Sequence, residues 1–176
     1  MIFQVAALPR SGTAWITAVL NLCPDIMCIH EPVDLQVPVP LNSYAHSGQS
    51  GSHLILPYCA AMEADLRIFI KRDSVECYES MDAAMDQIIG ISDYRKYLVE
   101  PSHEYEAFAD LVVDFDELFK EETVRYIWEA ISKMEFDSDK VRPMMNMNVQ
   151  RQSLDYDFCE NFIDQVSEYN KQQGIE

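Results

Sequence analysis

The sequence predicts an α/β protein, a three-layer αβα sandwich with a mainly parallel sheet. Short apolar runs recur along the chain and are typical of strands buried on both faces. Stretches with helical spacing of apolar residues follow them, and this alternation is typical of parallel sheets covered by helices. A length of 176 residues and an apolar content of 48% fit a single domain over residues 1–176.

The first predicted unit is a strand, a tight turn and a helix. The apolar run 2–8 predicts the strand, 9–13 the turn, and 14–22 a helix that ends before Pro24. Because the first N–H groups of a helix have no partner within it, such a junction is suited to binding an anion.

The residues of this turn suit a phosphate group. Gly12 lets the main chain come close, Ser11 and Thr13 add hydroxyls, and Arg10 adds a positive charge. Arg10 is also the only Lys or Arg within residues 1–66. The alternative is that Arg10 is an ordinary surface cation.

The later elements follow from the same patterns. A buried run and a proline-rich stretch predict a second strand at 26–29 and a long loop at 33–53. A helix at 54–64, a strand at 66–71 and a helix from Asp73 or Ser74 to about residue 88 come next. We then expect a loop with a short helical turn at 91–106, a strand within 108–115, a helix from 116 or 117 through 131, an irregular stretch at 136–151 and a last helix at 154–171.

Composition excludes several classes of protein. Thirty acidic against 13 basic residues leave a net charge of −17, which repels nucleic acid and anionic membranes, so we expect neither as a partner. Five cysteines without C-x-x-C spacing argue against a disulfide framework or zinc site, and no His or carboxylate cluster predicts another metal. With no signal-like segment at the start and no long apolar run, we expect a cytoplasmic protein.

The turn does not match the nucleotide-triphosphate loop G-x-x-x-x-G-K-[ST], because the first glycine and the lysine are absent. Pro-Arg-Ser-Gly-Thr-Ala-Trp instead resembles the 5′-phosphosulfate loop of the sulfotransferase family, from which Ala14 departs. The resemblance implies a P-loop NTPase-like sulfotransferase fold and the donor 3′-phosphoadenosine 5′-phosphosulfate (PAPS). It implies that the loop from Arg10 to Ala14 binds the donor and that Trp15 lies against the adenine.

A second match follows the strand at 66–71. Arg72 and Ser80 are eight residues apart, which resembles the family's arginine and serine that bind the 3′-phosphate. Two helical turns bring Ser80 over the same face as Arg72. The alternatives are an ion pair of Arg72 with Asp73 or Glu76, and an ordinary helix-surface serine.

A third match concerns the base. In tyrosylprotein sulfotransferases a glutamate follows the loop after a helix and a Pro-Asp or Pro-Glu pair. Here Glu31 lies 21 residues after Arg10, and several carbohydrate sulfotransferases also carry Glu-Pro at this place. Glu31 is therefore the predicted base and His30 its rival, while the structural alternative is that Glu31 caps a turn before Pro32.

The resemblance covers roughly residues 2–135, where LVVDFDELF is similar to the family's strand ending in Tyr-Glu-Asp-Leu. The Arg-Lys-Gly loop of cytosolic members is absent, and Arg142 or Arg151 is a candidate substitute. The predicted activity is sulfuryl transfer to a hydroxyl or amine of a small molecule, glycan or peptide. The alternatives are a P-loop nucleotide or nucleoside kinase and a nonenzymatic nucleotide-binding module.

Overall fold

The computed structural model describes residues 3–26, 28, 64–85 and 89–146. Its elements are β1 (Phe3–Ala7), α1 (Thr13–Leu20), β2 (Leu66–Lys71), α2 (Ser74–Met85), α3 (Ile91–Tyr94), a π-helical turn (Arg95–Val99), α4 (Glu100–Phe108), β3 (Leu111–Asp114), α5 (Phe115–Leu118), α6 (Glu121–Ile131), α7 (Ser138–Val141) and a 3-10 helix (Arg142–Asn146). The predicted loop 33–53, the predicted helix 154–171 and all but the last residue of the predicted helix 54–64 lie outside the described residues.

The three strands form a parallel sheet in the order β1-β2-β3. Ala7 pairs with Ile70, and Lys71 pairs with Asp114, so the carboxyl ends of all three strands lie along one edge. The predicted α/β class with a mainly parallel sheet is thereby confirmed.

Helices cover both faces of the sheet, as the two sides of β1 show. Phe3 and Val5 belong to a large core on one face, which α1 and α6 complete with Ile16, Val19, Ile127 and Trp128. On the other face Ala6 packs with Phe69 and Tyr105. Next to it, Leu8 packs with residues of α2, α3 and the π-helical turn: Cys77, Met81, Tyr94 and Leu98. These layers are the three predicted from the alternating pattern.

The turn after α1 is tied to the rest of the fold by side chains. Asp25 Oδ1 accepts hydrogen bonds from the Cys23 thiol at 2.7 Å and the Ser132 hydroxyl at 2.6 Å. The Asn21 amide bonds both the N–H and the C=O of Cys28, each at 2.8 Å. The strand predicted at 26–29 is not found at residues 26 and 28. The N–H of Ile26 donates to the Cys23 carbonyl at 3.1 Å, and the main chain of Cys28 bonds the Asn21 side chain, so the bonds seen at both residues are to this turn.

The loop predicted at 91–106 is helical instead. Tyr94, Leu98 and Tyr105 are buried and recur at helical spacing, so this segment covers one face of the sheet. The π-helical turn ends at Val99, two residues before Pro101, which has no N–H to donate to the preceding turn. A local widening of the helix accommodates the proline, which the sequence pattern did not reveal.

Three other boundaries differ in detail. Asp73 caps α2, accepting from the N–H groups of Val75 at 2.9 Å and Glu76 at 3.0 Å, which confirms one of the two predicted caps. The helix expected from 116 or 117 through 131 is two helices, because the chain leaves helical geometry at Phe119 and Lys120. The stretch at 136–151, expected to be irregular, contains α7 and the 3-10 helix. None of the helices in the described ranges has the length and apolarity needed to cross a membrane.

Candidate functional site

The predicted anion loop lies at the carboxyl edge of the sheet, between β1 and α1. Arg10 has a φ of 67° and Gly12 a φ of 77°, so two left-handed residues flank Ser11. Backbones with left-handed residues at tight turns form the concavities that bind anions through successive N–H groups. The Gly12 carbonyl accepts from the N–H of Ile16 at 3.0 Å, so α1 begins directly on this turn.

Gly12 is required by space as well as by conformation. A Cβ at this position would lie 2.9 Å from Leu118 Cδ2 and 3.4 Å from Phe115 Cε2. The short helix α5 therefore packs directly against the loop, and a side chain at position 12 would displace the buried Leu118 side chain and would have to adopt an unfavourable positive φ.

The hydroxyl residues of the loop are buried. Ser11 is fully buried and its Oγ lies 3.3 Å from Cys77 Sγ, on α2. Thr13 is also buried, at the first position of α1. Ala14, the departure from the family pattern, is partly exposed at the next helical position. Ser11 thus anchors the turn to the helix that follows β2.

The two cationic motifs meet at this edge. Arg10 Nε donates to Ser80 Oγ at 3.2 Å, across 70 residues of sequence. Arg72 NH1 donates to the backbone carbonyl of Arg10, across 62 residues. The structure brings together Arg10, Arg72 and Ser80, which were all predicted from the sequence to bind the donor. The two motifs therefore form one connected cluster.

Arg72 also makes the ion pair that was its structural alternative. Its Nε lies 3.5 Å from Oε2 of Glu76, which is four residues later, in the first turn of α2. Its guanidinium carbon lies 4.2 Å from the centre of the Phe115 ring, a cation–π contact. Phe115 was not among the predicted site residues. Its position immediately after β3, at the same sheet edge as Arg72, is a sequence signal that could have indicated it.

Cys77 is a second residue of this edge that was not among the predicted site residues. Burial raises the pKa of its thiol, so the neutral thiol faces Ser11. Burial is also the main cause of the raised pKa of Tyr94, whose hydroxyl interacts with the Cys77 thiol.

Trp15, expected against the adenine, lies in the core. Its indole is 4% exposed, its Nε1 donates to the Met144 carbonyl at 2.8 Å, and its ring meets Phe119 edge-on with centroids 4.9 Å apart. An adenine would contact this indole only if the side chains that cover it moved aside.

The predicted base and its rival, Glu31 and His30, lie outside the described residues. The described residue before them in the sequence is Cys28, whose main chain is hydrogen-bonded to the Asn21 side chain. No group of three or more metal-ligating side chains occurs within the described ranges, and the expectation of a metal-free reaction stays a prediction.

Comparisons with known proteins identify no family for this chain. No protein-family model matches the chain. No curated protein has significant similarity to it. Among solved structures, shikimate kinase from Aquifex aeolicus is similar with a TM-score of 0.42 and 14% identity, over 74% of this chain and 95% of that one.

Proposed function

We propose that this chain is a sulfotransferase that moves the sulfuryl group of PAPS to a hydroxyl or amine acceptor. The observation that carries the proposal is the hydrogen bond from Arg10 to Ser80, reinforced by that from Arg72 to the Arg10 carbonyl. The loop and the Arg-x7-Ser motif resemble parts of one donor site, and these bonds join them at one sheet edge. Open α/β sheets bind ligands at this edge.

The chemistry requires positioning and charge stabilisation more than covalent help. The bond from sulfur to the bridging oxygen breaks, a bond from sulfur to the acceptor forms, and adenosine 3′,5′-bisphosphate leaves. Arg10 and the N–H groups of residues 11–13 stabilise negative charge as it develops on the bridging oxygen. Arg72 and Ser80 hold the 3′-phosphate.

Glu31 is the proposed general base. Glu31 removes the proton from the hydroxyl or amine of the acceptor substrate as the new bond forms. This proton transfer contributes about 10²- to 10⁴-fold to the rate. His30 is the alternative base. The acceptor is a hydroxyl or amine of a small molecule, glycan or peptide, and the cytoplasmic location stays a prediction from the sequence.

A nucleotide or nucleoside kinase is the alternative enzyme. Shikimate kinase is a kinase by name, but its likeness to this chain is too distant to indicate the reaction. The turn has no lysine at the position that kinase loops require. A third candidate is a module that binds the nucleotide without chemistry.

Calorimetry followed by a transfer assay separates these functions. Purified chain is titrated with adenosine 3′,5′-bisphosphate and, separately, with ATP and Mg²⁺. We expect the bisphosphate to bind more tightly than ATP. The chain is then incubated with ³⁵S-labelled PAPS and a panel of alcohols, amines, sugars and tyrosine peptides, and we expect transfer of the label to some of these acceptors. Tighter binding of Mg-ATP contradicts the proposal in favour of a kinase. Bisphosphate binding without transfer to any acceptor favours the nonenzymatic module.

A further inference from the structure

Arg72 is held by protein groups on several sides. Its ring partner Phe115 lies under the guanidinium, Glu76 pairs with Nε, and NH1 donates to the carbonyl of Arg10. The side chain is 18% exposed. This arginine is therefore fixed in orientation before any ligand arrives, with one of its nitrogens on the backbone of the anion loop.

The carbonyl that Arg72 contacts belongs to Arg10, whose backbone conformation is unfavourable. Arg10 is the one described residue other than glycine with a positive φ. That conformation brings the Cβ of an L-residue close to its own backbone and is unfavourable without compensating contacts. The hydrogen bonds from Arg72 to the Arg10 carbonyl and from Arg10 Nε to Ser80 are such contacts.

Phe115 contacts both Arg72, which bonds to the Arg10 carbonyl, and the loop at Gly12. It is the first residue of α5, its Cε2 comes within 3.4 Å of the Cβ position of Gly12, and its ring meets Phe119 edge-on at 5.1 Å. One aromatic side chain thus contacts the loop directly and also supports the arginine that bonds to it.

We propose that Phe115 and Arg72 form a brace that holds Arg10 in its left-handed conformation, so that Phe115 is a positioning residue for the whole anion loop. Arg72 then acts on the backbone that faces the 5′-phosphate as well as on the 3′-phosphate. The ligand part of this inference rests on the proposed function, whereas the effect on loop conformation does not.

The first test is independent of any ligand. Backbone ¹³C shifts and ¹⁵N order parameters of Arg10–Gly12 are measured by NMR in the native chain and in Phe115→Leu, Arg72→Met and Arg72→Lys. We expect order parameters of about 0.85 in the native loop and below about 0.6 in the three variants. The shifts of Arg10 should also move away from left-handed values. Lysine retains the charge of Arg72 but lacks the planar fork that bonds the carbonyl and stacks on the ring.

A second cation–π pair provides matched controls. The Arg125 guanidinium carbon lies 4.7 Å from the centre of the Phe136 ring and Arg125 pairs with Glu121. Arg125 belongs to α6 and Phe136 to the segment before α7, whereas the loop contacts described above come from α2 and α5. Arg125→Met and Phe136→Leu make the same chemical changes there and should leave Arg10–Gly12 unaltered. Phe115→Tyr keeps an aromatic face and should restore the native loop if Phe115→Leu folds poorly. Native order parameters and shifts in folded Arg72→Met and Phe115→Leu overturn the brace.

The second test distinguishes the brace from the alternative that Arg72 and Phe115 affect only the binding of the 3′-phosphate. Affinities for adenosine 3′,5′-bisphosphate and adenosine 5′-monophosphate, which lacks the 3′-phosphate, are compared by calorimetry. Phe115→Leu should weaken both by a similar factor, about tenfold, although it removes no charge. Loss of bisphosphate affinity alone, with unchanged monophosphate binding, contradicts the brace. A native chain that binds neither nucleotide contradicts the proposed function, and the NMR result then decides the brace by itself.

Discussion

Arg10 and Ser80 are 70 residues apart in sequence, and the structure joins them by a 3.2 Å hydrogen bond from Nε to Oγ. Arg10 belongs to the turn after β1 and Ser80 to the second turn of α2. Parallel pairing of β1 with β2 brings the two segments to one edge, since each follows the carboxyl end of its strand. The predicted phosphosulfate loop and the predicted 3′-phosphate motif are thus one structural unit.

This bond should appear as an energetic coupling between the two residues. Ser80→Ala removes the acceptor and should lower the free energy of unfolding by about 1 kcal/mol. Arg10→Ala removes the same bond, so the double variant should lose less than the sum of the single losses. Urea unfolding of the four proteins measures the coupling. The control pair is Ser80→Ala with Arg142→Ala, because Arg142 is exposed and its ion pair is with Asp139. The losses in the free energy of unfolding should add for this control pair, and losses that also add for Arg10 and Ser80 would contradict the contact.

Glycine at position 10 should separate the backbone role of Arg10 from its charge. Both Arg10→Gly and Arg10→Ala remove the guanidinium, but only glycine adopts a φ of 67° without a steric cost. We expect Arg10→Gly to be more stable than Arg10→Ala by about 1 kcal/mol in urea unfolding, and both to lose nucleotide binding. Equal stability of the two variants would show that residue 10 is not left-handed in solution.

Gly12→Ala should be among the most destabilising single-methyl changes in the loop. It combines a left-handed φ with a contact of 2.9 Å to Leu118, and the two costs together amount to about 2–4 kcal/mol. Gly90→Ala is the control, because its φ is −68° and no atom lies within 4 Å of the added Cβ. Thermal and urea unfolding should show a loss of at most about 1 kcal/mol there. A comparable loss at both positions would contradict the packing of α5 on the loop.

The Asp25 carboxylate should make stability depend on pH. Hydrogen bonds from Cys23 and then Ser132 lower its pKa in the folded state. A lowered folded-state pKa stabilises the protein above the unfolded-state pKa of about 3.9, and this stabilisation is lost as the pH falls through the folded-state value. Urea unfolding between pH 7 and pH 2 should show a smaller acid-dependent loss for Asp25→Asn than for the native chain, with Ser132→Ala intermediate. The same acid-dependent loss in all three would exclude Asp25 as its source.

Glu31→Gln should separate binding from catalysis. The amide cannot accept the acceptor's proton, so we expect turnover to fall by about 10²- to 10⁴-fold with unchanged affinity for adenosine 3′,5′-bisphosphate. The matched variant is His30→Gln, which should keep most of the turnover. Steady-state rates with labelled PAPS and calorimetry measure the two effects. If His30→Gln loses turnover and Glu31→Gln does not, the roles of the two residues are reversed.

The position of the candidate site residues at one sheet edge could be predicted in part, because short-range patterns encode it. Arg10, Ser11 and Gly12 follow a buried strand directly, and Arg72 follows another, so strand order and the rule for parallel sheets place them at one edge. Phe115 and Cys77 were missed because an aromatic residue after a strand and a cysteine in a helix are most often core residues. Their contacts with Arg72 and Ser11 depend on how α5 and α2 pack on the loop.

The sequence by itself determined the alternation of strands and helices, because apolar periodicity reports which face of each element is buried. It also determined which residues carry charge at the ends of the strands. Only the tertiary structure decided that Arg72 bonds the carbonyl of a left-handed Arg10, and that Trp15 lies inside the core. Both depend on contacts between segments more than 60 residues apart, and local propensity contains no information about such contacts.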